Sequence, residues 1–405
     1  MLELPKMTFS KIRGTTLGLA LLLGLISVPL SAQEPADART MFDGTMRPDV
    51  AVKTFENSDK LFPVRTVHHG SDVPKLPAAK TPLQNVRFES AGKHYDLFDY
   101  LALNRVAGML ILKNGEVVYE DYELGTTSET LWPSFSMCKS VASTLVGAAL
   151  LDGSISSLDD PITKYLPQMK NGAYDGVSVR NIIQMASGAK WDETYTDPKS
   201  DRRKLLDIQL QLKPGSILPY MSALPRAGAP GTIWNYNTGE TYVVGAVLEA
   251  ATHKPLATYL TEKMWSRFGM EHDAKWWLES PDGMGLAGGG LSATLRDFGR
   301  IGLLVLNDGV VEGKRIVPER WFDEAGSSKQ IGGKTVDYGY LWWTFPKSET
   351  IHEGAFQARG IFGQEMYINR REHLVIVVLS ARPKPTGSTV IEDSAFFAAV
   401  TKSLQ

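Results

Sequence analysis

The chain has one cysteine, Cys138, in 405 residues. No internal disulfide can form, so the fold must hold by packing. Runs of lysine or arginine are also missing: 43 basic and 45 acidic side chains leave a formal net charge of -2. Without a strongly basic stretch, nucleic acid is excluded as an expected partner. There is no His-Glu-x-x-His, the common zinc-hydrolase signature, and no Gly-x-Ser-x-Gly, the nucleophile elbow of α/β-hydrolases. His68 and His69 stand side by side in a polar segment with no third ligand at metal spacing. Neither a metal nor an organic cofactor is expected. Internal repeats and low-complexity tracts are absent too. What remains is an ordinary globular composition, 43% hydrophobic and 22% charged. The length exceeds what one core usually supports, so two parts are expected.

Long apolar runs are confined to the N-terminus. Lys6, Lys11 and Arg13 precede T-T-L-G-L-A-L-L-L-G-L-I-S-V-P-L, which ends in L-S-A-Q-E. This is the order of a secretory signal, basic then apolar then small, and Ala32 sits where cleavage would follow. A membrane anchor needs about 18 to 20 uninterrupted apolar residues, and Pro29 with two glycines breaks this run. Residues 1–32 are therefore read as a signal peptide, with export to the periplasm or beyond and no stable membrane insertion after cleavage.

Residues 33–85, rich in Pro, Asp, Lys and Thr with weak periodicity, read as a loosely structured lead-in that lies over the folded body. Order begins with V-A-G-M-L-I-L-K-N-G-E-V-V-Y-E-D-Y, two strand-like runs joined by Asn114-Gly115, the strongest short hairpin signal. A helical pattern follows from Ser136 to Leu151 and closes at Asp152-Gly153. Strand character returns in Y-G-Y-L-W-W-T-F, G-I-F-G-Q-E-M-Y-I-N and H-L-V-I-V-V-L-S, and a terminal helix contains A-F-F-A-A-V. The expected fold is α/β of the α+β type. Residues 86–155 and 330–405 form an antiparallel sheet domain flanked by helices, residues 156–329 a mostly helical insertion, and a cleft lies between them.

Serine followed three residues later by lysine puts both side chains on one helix face, where an amine can take a hydroxyl proton. The pattern occurs at Ser90-Lys93, Ser136-Lys139 and Ser187-Lys190. The first and third carry glycine inside the tetrad, which disfavours a rigid helix by about 1 kcal/mol relative to alanine. The middle one opens a glycine-free stretch in which Met137, Val141, Leu145 and Ala148 recur at helical spacing. A serine in the first helical turn also has unpaired amide groups beside it. The competing reading, a capping serine and a solvated lysine, remains open on the tetrad alone. Cys138, one position before Lys139, lies about 100° around the helix from it, away from the face that Ser136 and Lys139 share, and is expected to pack as a small apolar residue.

The tetrad S-M-C-K, then Y-N-T at 236–238, then H-E-G at 352–354, in this order, resembles the penicillin-recognising serine hydrolases: class C β-lactamases, D-alanyl-D-alanine carboxypeptidases, esterases and 6-aminohexanoate-dimer hydrolases. The likeness covers roughly residues 95 to 400 and includes L-D-D-P-I-T-K-Y-L-P and G-G-G-L-S-A-T-L-R-D-F-G-R-I-G. It implies that Ser136 forms an acyl-enzyme while Lys139 and Tyr236 move protons, with either of the two as main base. It further implies that His352 and Gly354 belong to the third motif, that the amides of Ser136 and Ala355 form the oxyanion hole, and that Tyr195, in a loop over the nucleophile, touches substrate. Arg359, read as lying between two strands, is a candidate for a substrate carboxylate or a surface group. Thr238 replaces the family's frequent asparagine and His352 its frequent lysine. Both departures favour a small-molecule amide or ester of the 6-aminohexanoate-oligomer or carboxylesterase kind over an antibiotic.

Overall fold

Two short helices, α1 (Ala38–Asp43) and α2 (Pro48–Glu56), precede the first strand, β1 (Val64–Val67), in the computed structural model, which describes residues 34–405. The expected signal peptide lies outside the described residues. The lead-in is more ordered than its sequence reading: where it lies over the body it forms two helices and a strand. Asp37 caps α1 through the Thr40 amide and Pro48 opens α2, both ordinary helix-start devices. Its few apolar side chains, among them Met41, Phe42, Phe55 and Phe62, are buried in the main core. The sparse periodicity hid this, because these residues pack against distant parts of the chain rather than along a face of their own.

The hairpin at Asn114-Gly115 starts the central sheet. Both residues take left-handed backbone, φ 53° and 81°, and join β2 (Val106–Lys113) to β3 (Glu116–Tyr122). A short strand, β4 (Trp132–Pro133), leads into α3 (Met137–Leu151). Between α3 and the C-terminal strands come mainly helices, including α4 (Asp201–Gln209), α5 (Thr238–Thr252) and, after strands β5 (Ala274–Trp277) and β6 (Leu291–Ala293), α6 (Leu295–Leu306). The chain then supplies β7 (Trp343–Thr344), β8 (Ala355–Gly360), β9 (Gln364–Asn369) and β10 (Leu374–Ser380), and closes with α7 (Asp393–Ser403).

The six-stranded sheet has the order β7-β8-β9-β10-β2-β3, antiparallel throughout, so it is built from early and late chain with a largely helical stretch between. Alternation along its strands feeds two cores. Leu110 and Leu112 with Val375 and Val377 face the large core shared with α3 and α5, while Met109, Ile111, Ile376 and Val378 face a smaller one under α7. A second sheet, β1-β5-β6-β4, braces the loop that carries Ser136.

Two strand readings need correction. Of Y-G-Y-L-W-W-T-F only Trp343 and Thr344 join the sheet, because Leu341 turns the backbone left-handed at φ 61°. The full-length strand on this side of the sheet is Ala355–Gly360, next to the two-residue edge strand β7, so Arg359 lies within a strand. A-F-Q-A-R-G has no β-branched residue, which left its propensity signal weak.

Candidate active site

Strand β4 pairs with β6, and the Ser134 amide donates to the Leu291 carbonyl at 2.7 Å. The next residue, Phe135, is left-handed at φ 44°, a conformation that costs a bulky side chain energy and persists only where surroundings enforce it. Phe55, Phe362 and Trp277 clamp its ring, with centroids at 5.3, 4.8 and 6.1 Å. This bend delivers Ser136 to the first turn of α3.

Among the three serine–lysine tetrads, Ser136 is the serine with a lysine in reach: Lys139 Nζ stands 2.9 Å from its Oγ. Ser90 Oγ instead accepts the Glu392 amide, and the Ser187 hydroxyl donates to Glu240. Cys138 is buried as a packing group, with burial raising its thiol to about 11.

Lys139 is 1% exposed. Burial lowers its pKa to about 7, while the nearby Glu193 carboxylate pulls the other way. Besides Ser136 it reaches the Gly288 carbonyl at 2.6 Å and Thr238 Oγ1 at 3.2 Å. Thr238 commits its own hydroxyl proton to Glu193 Oε1, so its oxygen accepts from the amine. A neutral amine has two N–H groups and one lone pair. With Gly288 and Thr238 taking the two protons, the lone pair faces Ser136 Oγ, the orientation a general base needs.

Tyr236 immediately precedes α5, which is capped by Asn237 through the Glu240 amide. Its ring lies 5.1 Å from Lys139 Nζ and stacks on Trp343 at 5.5 Å. Burial first, then Glu193, push its phenol well above the ordinary range, and contact with Ser136 opposes them. The group therefore stays protonated at neutral pH while the lysine titrates. Arg359 extends over the Trp343 ring and approaches Glu365 Oε1 at 3.4 Å.

Ser136 lines a narrow pocket together with Phe42, Phe62, Phe135, Tyr195, Trp277 and Ile361. Tyr195 lines the same pocket as Ser136, with its ring stacked on Phe42 of α1 at 6.0 Å. Glu193, two residues earlier, was missed by sequence reasoning. Besides the Thr238 hydroxyl it accepts the Thr238 amide at 2.9 Å and the Trp191 indole N–H. An acidic residue next to the expected loop tyrosine was the available signal, and it looked like any loop carboxylate.

The third-motif reading is corrected by the sheet. Gly360, at the far end of β8, touches the nucleophile loop: a Cβ there would stand 2.8 Å from the Ser134 carbonyl oxygen. Ala355 starts the same strand, six residues long, and at about 3.3 Å per residue the two ends are separated by about 17 Å. His352, Gly354 and Ala355 therefore do not join Ser136. His352 is buried against Phe345, with its Nδ1 3.1 Å from the Tyr367 hydroxyl, and desolvation lowers it to about 4. Ala355 faces the smaller core. Ile361, just after Gly360, lines the same pocket as Ser136.

The family described as Beta-lactamase matches residues 102–399. A 6-aminohexanoate-dimer hydrolase from Paenarthrobacter ureafaciens is 29% identical over 294 residues, 68% of this chain and 72% of that protein. A Bacillus anthracis protein assigned as a 6-aminohexanoate-dimer hydrolase superposes with a TM-score of 0.76 at 22% identity, covering 88% of this chain and 95% of that one. A family VIII carboxylesterase does so with a TM-score of 0.55 at 16% identity, over 73% and 91%. Because the match spans most of the described residues and includes the bend that presents Ser136 beside a buried lysine, the chain belongs to the Beta-lactamase family and is a serine hydrolase.

Proposed function

We propose that this serine hydrolase cleaves amide or ester bonds of small molecules through an acyl-enzyme on Ser136, with substrates of the kind handled by 6-aminohexanoate-oligomer amidases and carboxylesterases. The observation that carries this reading is the placement of buried Lys139 Nζ 2.9 Å from Ser136 Oγ, with Gly288 O and Thr238 Oγ1 as its two other partners. Neutral Lys139 takes the Ser136 hydroxyl proton as Oγ attacks the carbonyl carbon. The oxyanion is held by the backbone N–H of Ser136 and, in place of Ala355, that of Ile361. Tyr236, kept protonated by burial, gives its proton to the leaving nitrogen or oxygen and is reprotonated from Lys139. Water then takes the leaving group's place, and the same two groups return the proton to Ser136 Oγ as the acyl group departs. Thr238 supports this chemistry over β-lactam cleavage, because its hydroxyl is engaged by Lys139 and Glu193 rather than offered to a substrate side chain.

The pH profile tests the assignment of the base. A lysine near 7 serves only when deprotonated. On a neutral ester, kcat/KM is expected to rise about tenfold per pH unit below 7 and to level off above it. Glu193→Gln removes the charge that raises Lys139, so the rise shifts to lower pH. A profile independent of pH between 5 and 8 refutes Lys139 as the base.

Export follows from the basic-apolar-small order of residues 6–32. Among the described residues no helix is long and apolar enough to cross a membrane. N-terminal sequencing of the protein from its native host is expected to start near Gln33, and an intact Met1 in a membrane fraction counts against it.

A further inference from the structure

Arg202 stands in the second position of α4, 6% exposed, on the wall of the Ser136 pocket. Its Nε and Nη1 are buried and, among the described residues, have no hydrogen-bond partner. The next residue shows what a committed arginine looks like here: Arg203 pairs with Asp43 at 2.8 Å and donates to the Tyr195 carbonyl at 3.1 Å. The carboxylates near Arg202 are engaged elsewhere. Glu193 holds Thr238 and Trp191, and Asp201 holds the Asp192 amide at 3.0 Å and the Tyr220 hydroxyl at 3.2 Å. The ring of Phe42 lies 4.6 Å from the Arg202 guanidinium carbon and closes one face of it from solvent. A guanidinium stripped of water and left unpaired is costly, and its planar donors suit a carboxylate.

We infer that Arg202 is the anchor for a carboxylate on the acyl part of the substrate. The inference rests on the proposed acyl-enzyme reading. Tyr236, placed to protonate the leaving atom, is not part of this pocket's wall, so the pocket receives the other side of the scissile bond. Its remaining walls, Phe62, Phe135 and Trp277 among them, suit a short apolar chain between carbonyl and carboxylate. The substrate class is therefore a dicarboxylic acid monoamide or monoester, bound with its free carboxylate away from the reacting carbonyl.

Two measurements separate the anchor from the chemistry. In the Ser136→Ala background, which cannot turn over, calorimetry compares glutaranilic acid with valeranilide, matched in length and differing in the terminal carboxylate. The acid is expected to bind at least tenfold tighter, and this advantage is expected to vanish in Ser136→Ala/Arg202→Gln. In the otherwise native enzyme, the ratio of kcat/KM for mono-p-nitrophenyl glutarate over p-nitrophenyl valerate is expected to fall about 30-fold in Arg202→Gln and less in Arg202→Lys. The ratio is unaffected by a general loss of active protein. If Arg202→Gln does not fold, as judged by its thermal melt, the Lys variant and the wild-type preference decide. Equal affinity of wild-type pockets for acid and neutral anilide, or a ratio unmoved by substitution, overturns the anchor. A carboxylate preference in binding without hydrolysis of either ester upholds the anchor and instead refutes the proposed chemistry.

Discussion

Ser136→Ala is expected to reduce amide and ester turnover by at least about 10³-fold, while Ser90→Ala and Ser187→Ala keep most of the native rate per folded molecule. The difference follows from where each hydroxyl proton can go. Ser136 is the serine whose oxygen faces a buried amine with its lone pair free, and removing a nucleophile leaves only binding and oxyanion stabilisation to act. Ser90 ends the strand Arg87–Ser90, paired with Lys93 of the strand Lys93–Asp96, and its oxygen serves the Glu392 amide. Ser187 donates to buried Glu240, so Ser187→Ala should lower the melting temperature by leaving that carboxyl short of a partner, at about 1–3 kcal/mol, without touching the chemistry. Mass spectrometry after exposure to a fluorophosphonate supplies the second reading. The adduct is expected on the peptide containing Ser136 and absent from the Ser136→Ala protein. Turnover by Ser136→Ala near the native rate would refute the assignment.

Local rules carried the sequence reading far at three places. Asn114-Gly115 specified its hairpin because positive φ at two successive positions is tolerated by few residue pairs. The α3 helix was legible from its periodicity and its closing Asp152-Gly153, since Gly153 takes φ 82°. The serine–lysine pairing in the middle tetrad was legible because glycine inside the other two argued against a helix; Lys139 reaches the Ser136 hydroxyl, whereas Ser90 and Ser187 have other partners. The physical basis in each case lies within a few residues.

What stayed hidden depends on partners distant in sequence. Phe42 and Phe62 lie in a stretch of polar composition, yet they wall the pocket that Ser136 lines, and nothing near them in the chain signals that. Glu193 and Arg202 have the identities of common surface residues; only the packing of the 190–202 segment against Thr238 and Phe42 makes them part of the site. The third motif failed for a related reason. H-E-G stands before the last strands, as a basic-x-Gly motif would, but the sheet register brings the end of β8 rather than its start to Ser134. The residues that meet the nucleophile loop are Gly360 and Ile361, and they follow a strand whose own signal was weak. In a strand, an error of one end to the other moves a site by the strand's whole length.

Tyr236→Phe is expected to lower kcat by about 10²- to 10⁴-fold, the range of a general acid–base group, with little change in substrate affinity. The substitution deletes one oxygen and keeps the ring, so stacking on Trp343 and the edge contact with Tyr338 at 6.1 Å persist. The loss should depend on the leaving group. An amide nitrogen must be protonated as it departs, and the phenol, held above its ordinary pKa chiefly by burial, is a proton donor throughout the neutral range. A p-nitrophenolate leaves without that help. Acylation by p-nitrophenyl acetate should therefore survive Tyr236→Phe better than cleavage of a matched anilide, by at least tenfold in relative rate. Stopped-flow release of p-nitrophenol and steady-state hydrolysis of the anilide provide the comparison. Small and equal losses on both substrates would reduce Tyr236 to a wall of the cleft, and Lys139 would then have to deliver the leaving-group proton as well as take the one from Ser136.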